Sequence, residues 1–215
     1  MTCDTSSMSV DVLLAFVIAI VLMAATPGPA MALILQRAGL SGFRRTIPTV
    51  LGIEVGLLFW AVAAGTGMAA LVAASEVAFW VLKVGGAGLL VYLGVRAILR
   101  GRRVTRVHVE TAGQNRTGSR SFLYALGIQL ANPKAALLVL ALYPQFIPAG
   151  GPVLLWSLGL GFIQILVETM LYLALAASVG LFSALFQRSS VRAGLEYASG
   201  SILIALGART ALLSR

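Results

Sequence analysis

Two short stretches set a capping residue against a proline inside apolar sequence: Thr26-Pro27 in "TPGPAMALIL", and Asn132-Pro133, followed by Lys134, in "QLANPKAALLVLALYPQF". A Thr or Asn cap with proline at the first helical position is a helix-start signature. Each stretch therefore predicts a helix that breaks and restarts. Each proline also removes one i→i−4 hydrogen bond, freeing the carbonyl of Met23, Ala25 or Gln129. Restarted helices aim unpaired N–H groups and a positive dipole end at whatever lies between them, which suits a carboxylate or another anion. Lys134 adds a full charge beside one of these ends. The competing reading is a proline kink with Lys134 snorkelling to the surface. From about 20 Å inside its apolar block, at ~1.5 Å per residue, that is a long reach.

Two carboxyls share this apolar setting. Glu54 lies in "LGIEVG" and Glu168 in "QILVETMLYL". An ionisable group at membrane depth costs at least ~2.5 kcal/mol and marks a functional candidate. Both are candidates for binding and releasing protons; the alternative is a neutral, hydrogen-bonded acid or an ion pair with Lys134. Gln129 and Gln164 are candidate polar lining, whereas Lys83 and Glu76 read as interfacial anchors. Other chemistry is poorly served. The one histidine, His108, lies in a basic stretch, and the only aspartates, Asp4 and Asp11, are N-terminal, which excludes an intramembrane aspartyl dyad and disfavours a Ser-His pair. A single cysteine, Cys3, supports neither disulfide nor metal chemistry. No G-x-x-x-x-G-K-[ST] loop is present for ATP hydrolysis. No enzyme, cofactor or metal site is expected.

The elements that must position these residues are membrane helices. Of 215 residues, 59% are hydrophobic and 11% charged, with a mean hydropathy of +0.96; soluble domains carry about a quarter charged. Six apolar blocks, at 9–35, 46–72, 77–99, 121–144, 153–184 and 194–213, are each about long enough to cross hydrocarbon. They are continuously apolar, without the alternation of a β-barrel. The first block has no Lys or Arg before it and does not read as a cleaved signal. Basic residues crowd three connections: Arg37, Arg44 and Arg45; the run from Arg96 to Arg120; and Arg188 with Arg192. "AASE" and "FIPAGGP" carry none. The positive-inside rule then places the basic connections in the cytoplasm and both termini outside, with Arg209 and Arg215 dissenting. The net charge of +9 reads as attraction to anionic membrane lipid, with no nucleic-acid role.

The two halves are similar. "LLVYLGVRAILR" ends block three and "ILIALGARTALL" ends block six; Gly94 falls on Gly207 and Arg96 on Arg209. Pro27 superposes on Pro133. Three helices per half with opposite starting sides form an inverted repeat, an architecture of secondary transporters. The expectation is a single all-α integral membrane domain over 1–215: repeat one at 9–99, a basic cytoplasmic loop at 100–120, and repeat two at 121–213. Its six transmembrane helices include two, the first and fourth, broken at proline.

These residues carry a family resemblance. The runs "TPGPAMALILQRAGLSGFRRTIPTVLGIEVG", "LKVGGAGLLVYLGVRAI" and "NPKAALLVLALYPQF" resemble the lysine-exporter (LysE/RhtB) family of amino-acid efflux proteins, in order and over nearly the whole chain. The resemblance implies a bacterial inner-membrane exporter of amino acids or their derivatives, driven by the proton gradient. It assigns one signature to Pro27, Gly28 and Pro29, another to Asn132, Pro133 and Lys134, and helix-packing glycines to Gly52 and Gly56. Thr26 and Gln129 join the signatures as substrate-binding candidates, and Glu168 and Glu54 as proton-coupling ones. Glu54 departs from the family pattern, which is small or apolar there; an extra acid could select a cationic substrate or alter coupling. The expected partners are a small amino-acid-like substrate, protons and membrane lipids, and a homo-oligomer stays open. A channel-like facilitator and a non-transporting scaffold are the rival readings.

Overall fold

In hydrocarbon every backbone polar group must be satisfied within the protein, which leaves long alanine- and leucine-rich runs little choice but helix. The computed structural model describes residues 10–26, 28–102, 118–148, 151–179 and 188–213. Within them the chain forms α1 (Val10–Ala25), α2 (Pro29–Ser41), α3 (Phe43–Ala74), α4 (Glu76–Arg102), α5 (Gly118–Leu130), α6 (Pro133–Phe146), α7 (Val153–Ala177) and α8 (Ser189–Leu213). The order repeats: a bent pair followed by two long helices, twice. α1 and α2 meet at 60°, α5 and α6 at 58°.

Three helices are long and apolar enough to cross a membrane, and five spans result if each bent pair counts as one. The sixth expected span corresponds to α8. It has the length, but Arg192, Glu196 and Arg209 interrupt its apolar run. Other boundaries move modestly. Arg37, expected in a connection, belongs to α2 and is buried, while Arg44 and Arg45 lie exposed in the first turn of α3. The connection expected around "AASE" shrinks to Ser75. Pro27, and the loop residues Arg103, Arg106, His108 and Arg116, lie outside the described residues, as do 180–184 of the fifth block.

Small residues let the helices approach closely, the usual basis of packing where lipid removes the hydrophobic drive between helices. A Cβ on Gly52 would overlap the carbonyl of Phe122, and one on Gly56 would lie 2.8 Å from the Cβ of Gln129, so α3 rests directly on α5. On another face of α3, Gly65 meets Ser157 and Gly161 meets Ala61, seating α7. α4 and α8 touch backbone to backbone, a Cβ on Gly94 falling 2.5 Å from the Gly200 carbonyl. The halves interlock: α1 lies against α7 and α8, and α6 against α4 and α3. Phe16 of α1 fixes this crossing by edge-to-face contacts with Tyr143 and Phe146 of α6.

Candidate functional site

The two breaks are built differently. At the second, Asn132 is the N-cap of α6: its side chain accepts from the Lys134 N–H at 3.1 Å, with Pro133 in the first turn. This is the arrangement expected of a cap-proline pair. At the first, Thr26 does not cap forward. Its hydroxyl donates back to the Leu22 carbonyl at 2.6 Å and closes α1. Threonine hydroxyls have that local alternative, bonding the carbonyl four residues earlier. α2 restarts at Pro29, not at the expected Pro27, with Gly28 as an extended N-cap that supplies no side-chain bond. Among the described residues no side chain caps the first turn of α2, whose Ala30 and Met31 line a cavity.

Two carbonyls at the breaks, Met23 and Gln129, accept local N–H groups from Thr26 at 3.3 Å and Asn132 at 3.1 Å, and both are also met from the opposite half. The Lys134 ammonium donates to the Met23 carbonyl at 3.1 Å and to that of Thr26 at 3.5 Å. In return the Trp60 indole N–H, on α3, donates to the Gln129 carbonyl at 3.3 Å. Each broken helix is therefore tied by a side chain of the other half. The ammonium sits at the negative, C-terminal end of α1, where a cation is favoured.

Glu168, on α7, faces the same space. It is buried, and its Oε1 accepts from the Gln164 amide at 2.7 Å; Gln164 Oε1 in turn accepts from the Tyr143 hydroxyl at 3.0 Å. This chain fixes the carboxyl's direction. The Glu168 carboxylate and the Lys134 ammonium attract each other. Between them lies a cavity of about 50 Å³. Thr26, Gly28, Pro29, Gln129, Asn132 and Lys134 line it together with Gln164, Glu168 and Tyr172, while Met23, Leu57, Leu138 and Leu142 supply an apolar wall. That volume holds a few waters; a benzene-sized ligand needs about 150 Å³. In this conformation the cavity is too narrow for such a ligand.

Among the residues singled out in the sequence, Glu54 stands apart from the cavity wall. It is buried in α3, and among the described residues neither carboxyl oxygen has a hydrogen-bond partner. Gly52 and Gly56 do not line the cavity and pack α3 against α5. Pro133 is exposed and shapes the site through the backbone. Sequence reading missed Tyr143, Tyr172 and Trp60. Tyr172 lies one turn beyond Glu168 on α7, an i,i+4 spacing that could have flagged it.

The geometry brings an ammonium, an oriented carboxyl and an uncapped helix start to one cavity between two helix breaks. A family model, LysE type translocator, matches residues 21–214. The chain belongs to this family. LysE type translocators are transport proteins, not enzymes. Among similar proteins is a homoserine/homoserine lactone efflux protein of Salmonella typhimurium, 30% identical over 78% of this chain and 80% of that one. An uncharacterized membrane protein of Bacillus subtilis is 26% identical over 93% of this chain and 98% of its own length. One from Vibrio cholerae is 30% identical over 80% and 84%. No solved structure matches.

Proposed function

We propose that this LysE type translocator exports amino acids or amino-acid derivatives across the bacterial inner membrane in exchange for protons. The observation that carries this reading is the opposition of Lys134 and Glu168 across one cavity between the two breaks. A zwitterionic amino acid needs a cation for its carboxylate and an anion for its ammonium, with an apolar surface for its side chain. Lys134 and the uncapped start of α2 supply the first, Glu168 the second, and Leu57, Leu138 and Leu142 the third. In this conformation the carbonyls of Met23 and Thr26 hold the ammonium. An arriving carboxylate competes for it, which loosens the tie between the halves and favours opening. Glu168 exchanges its proton for the substrate ammonium, so the two cannot occupy it together. That exclusivity is what couples an antiporter. The similarity to a homoserine/homoserine lactone efflux protein supports substrates with an α-ammonium and a short side chain.

The test is uptake of labelled amino acids into inside-out vesicles, with and without an imposed proton gradient. Gradient-stimulated uptake of at least one of them is expected. Uptake that ignores the gradient would leave a facilitator, and none for any amino acid or derivative would remove the reading.

A further inference from the structure

A tyrosine hydroxyl buried among apolar groups needs a hydrogen-bond partner, and the partner that Tyr143 of α6 meets leads to Glu168. The Tyr143 ring is wholly enclosed and stands edge-on to Phe16 of α1. Its hydroxyl lies over Gly161 of α7, where an added Cβ would stand 3.5 Å from it. From there it donates to Gln164 Oε1 at 3.0 Å, and the Gln164 amide donates to Glu168 Oε1 at 2.7 Å. Among the described residues the hydroxyl has no other partner. All three side chains are buried, and Gln164 and Glu168 lie one turn apart on α7.

The chain of bonds has a direction, and chemistry sets it. An ionised carboxyl only accepts, so it requires the N–H side of the Gln164 amide; the amide oxygen then points at Tyr143, which donates. A protonated carboxyl can donate, and the reverse chain becomes available: Glu168 to the amide oxygen, and the amide N–H to the tyrosine oxygen. That reversal strands the tyrosine O–H without an acceptor in a dry place, which is costly. With phenylalanine at 143, either direction leaves one end of the amide unpaired, and the preference is lost. The hydroxyl therefore keeps the amide N–H towards Glu168 and favours the ionised carboxyl, the form that receives a substrate ammonium. The other charged and titratable groups near Glu168 are untouched by such a change. Lys134 of α6 and Tyr172 of α7 line the cavity with it, Glu54 is buried in α3, and Arg37 lies further along α2 than the cavity-lining Ala30 and Met31. α1 brings no charged side chain to the wall.

We propose that Tyr143 is a positioning residue of the transport site: acting through Gln164, its hydroxyl readies Glu168 to exchange its proton for the substrate ammonium. The proton that Glu168 releases goes to water, and neither Tyr143 nor Gln164 gains or loses one. The inference rests on the exchange at Glu168 proposed above and names the residue that tunes it.

The experiment measures exchange of labelled for unlabelled amino acid by the full chain in proteoliposomes, with the same pH on both sides. The labelled probes are the standard proteinogenic amino acids, and the best exchanged by wild type is carried forward. Proton and substrate compete for Glu168, so the apparent KM rises as the pH falls. Tyr143→Phe keeps the ring and its contact with Phe16. It should move the pH at which KM begins to rise upward by about one unit, the scale of one hydrogen bond lost in a dry site. The loss of affinity should be recovered at more alkaline pH. Gln164→Met removes the amide and should shift KM at least as far, and adding Tyr143→Phe to it should then change nothing further. The same pH dependence of KM in wild type and Tyr143→Phe, or a uniform loss of rate at every pH, would make the hydroxyl structural. That result overturns the proposal and leaves the transport reading intact. A further shift in the Gln164→Met background overturns the route through Gln164. A wild type that exchanges none of the probes overturns the transport reading and this inference with it.

Discussion

Lys134 and Glu168 do opposite work at the residue scale, and their variants separate it. Lys134→Met removes the cation from the substrate site and the donor to Met23 and Thr26. Uptake of amino acids into inside-out vesicles should fall about tenfold or more, since a charge-assisted hydrogen bond lost from a dry site is worth roughly 1.5–3 kcal/mol. Lys134→Arg should rescue little, because a planar guanidinium does not fit where a compact ammonium reaches two carbonyls. Wild-type uptake in both variants would reduce Lys134 to a structural tie. Glu168→Gln keeps an oxygen for the Gln164 amide but cannot release a proton. Accumulation driven by the gradient should disappear while exchange of labelled for unlabelled substrate persists; gradient-sensitive accumulation in this variant would remove Glu168 from coupling. These two residues were legible in the sequence because a charge in a long apolar run has no other easy explanation. Asn132 was legible too, as a cap ahead of a proline. Thr26 was read as the same device and is not, since a threonine hydroxyl can equally bond the turn behind it. Tyr143 carried no signal, because a tyrosine in a membrane helix reads equally well as an interfacial ring, whereas Tyr172 could have been found only through its i,i+4 spacing from Glu168.

The breaks matter more than the helices they interrupt at the scale of elements. The structure ties each broken helix to the other half through a carbonyl at its break: Met23 to Lys134, and Gln129 to Trp60. Trp60→Phe keeps most of the ring's packing and deletes the indole donor. It should weaken this narrow conformation by about 1 kcal/mol, the net worth of one hydrogen bond, and speed alkylation of a reporter thiol introduced as Ala135→Cys on the cavity wall severalfold without loss of folding. Unaltered alkylation would show that the indole tie does not hold the cavity narrow. Pro133→Ala should let α5 run on into α6 and remove the 58° bend, with loss of uptake and expression intact. Unimpaired uptake would make the bend incidental. Packing is tested by Gly52→Val, whose side chain must displace the Phe122 backbone. A fall in thermal stability matching about 1–3 kcal/mol is expected, as for other overpacked contacts; an unchanged melting temperature would contradict the close α3–α5 contact. The existence of both breaks followed from two prolines, but their cross-half ties did not. Which helix a carbonyl at a break meets depends on packing between halves, and short-range spacing holds no information on that.

The chain at the scale of the whole molecule presents its elements in the same order twice, which the paired prolines and the Gly94 and Gly207 repeats foretold. The sixth span was read from length, and α8 has that length with less apolar character, lying along α4 through glycine contacts. If the halves are inverted, reporters at residues 42, 110 and 188 lie in the cytoplasm and those at 75, 149 and 215 outside; a cytoplasmic C-terminus would contradict the inversion. The halves also line a cavity, too small in this conformation for an amino acid, so transport requires it to widen and to open to each side in turn. Cys3 is the only native cysteine, so a single reporter thiol can be placed on the wall. In a Cys3→Ser background, Ala135→Cys puts a small thiol beside Lys134 and facing the cavity. The decisive measurement is its rate of alkylation by a maleimide, with and without a saturating amino acid that wild-type vesicles accumulate. Substrate lodged between the breaks should slow alkylation at least severalfold. Alkylation at the same rate in both conditions would mean that the substrate passes elsewhere.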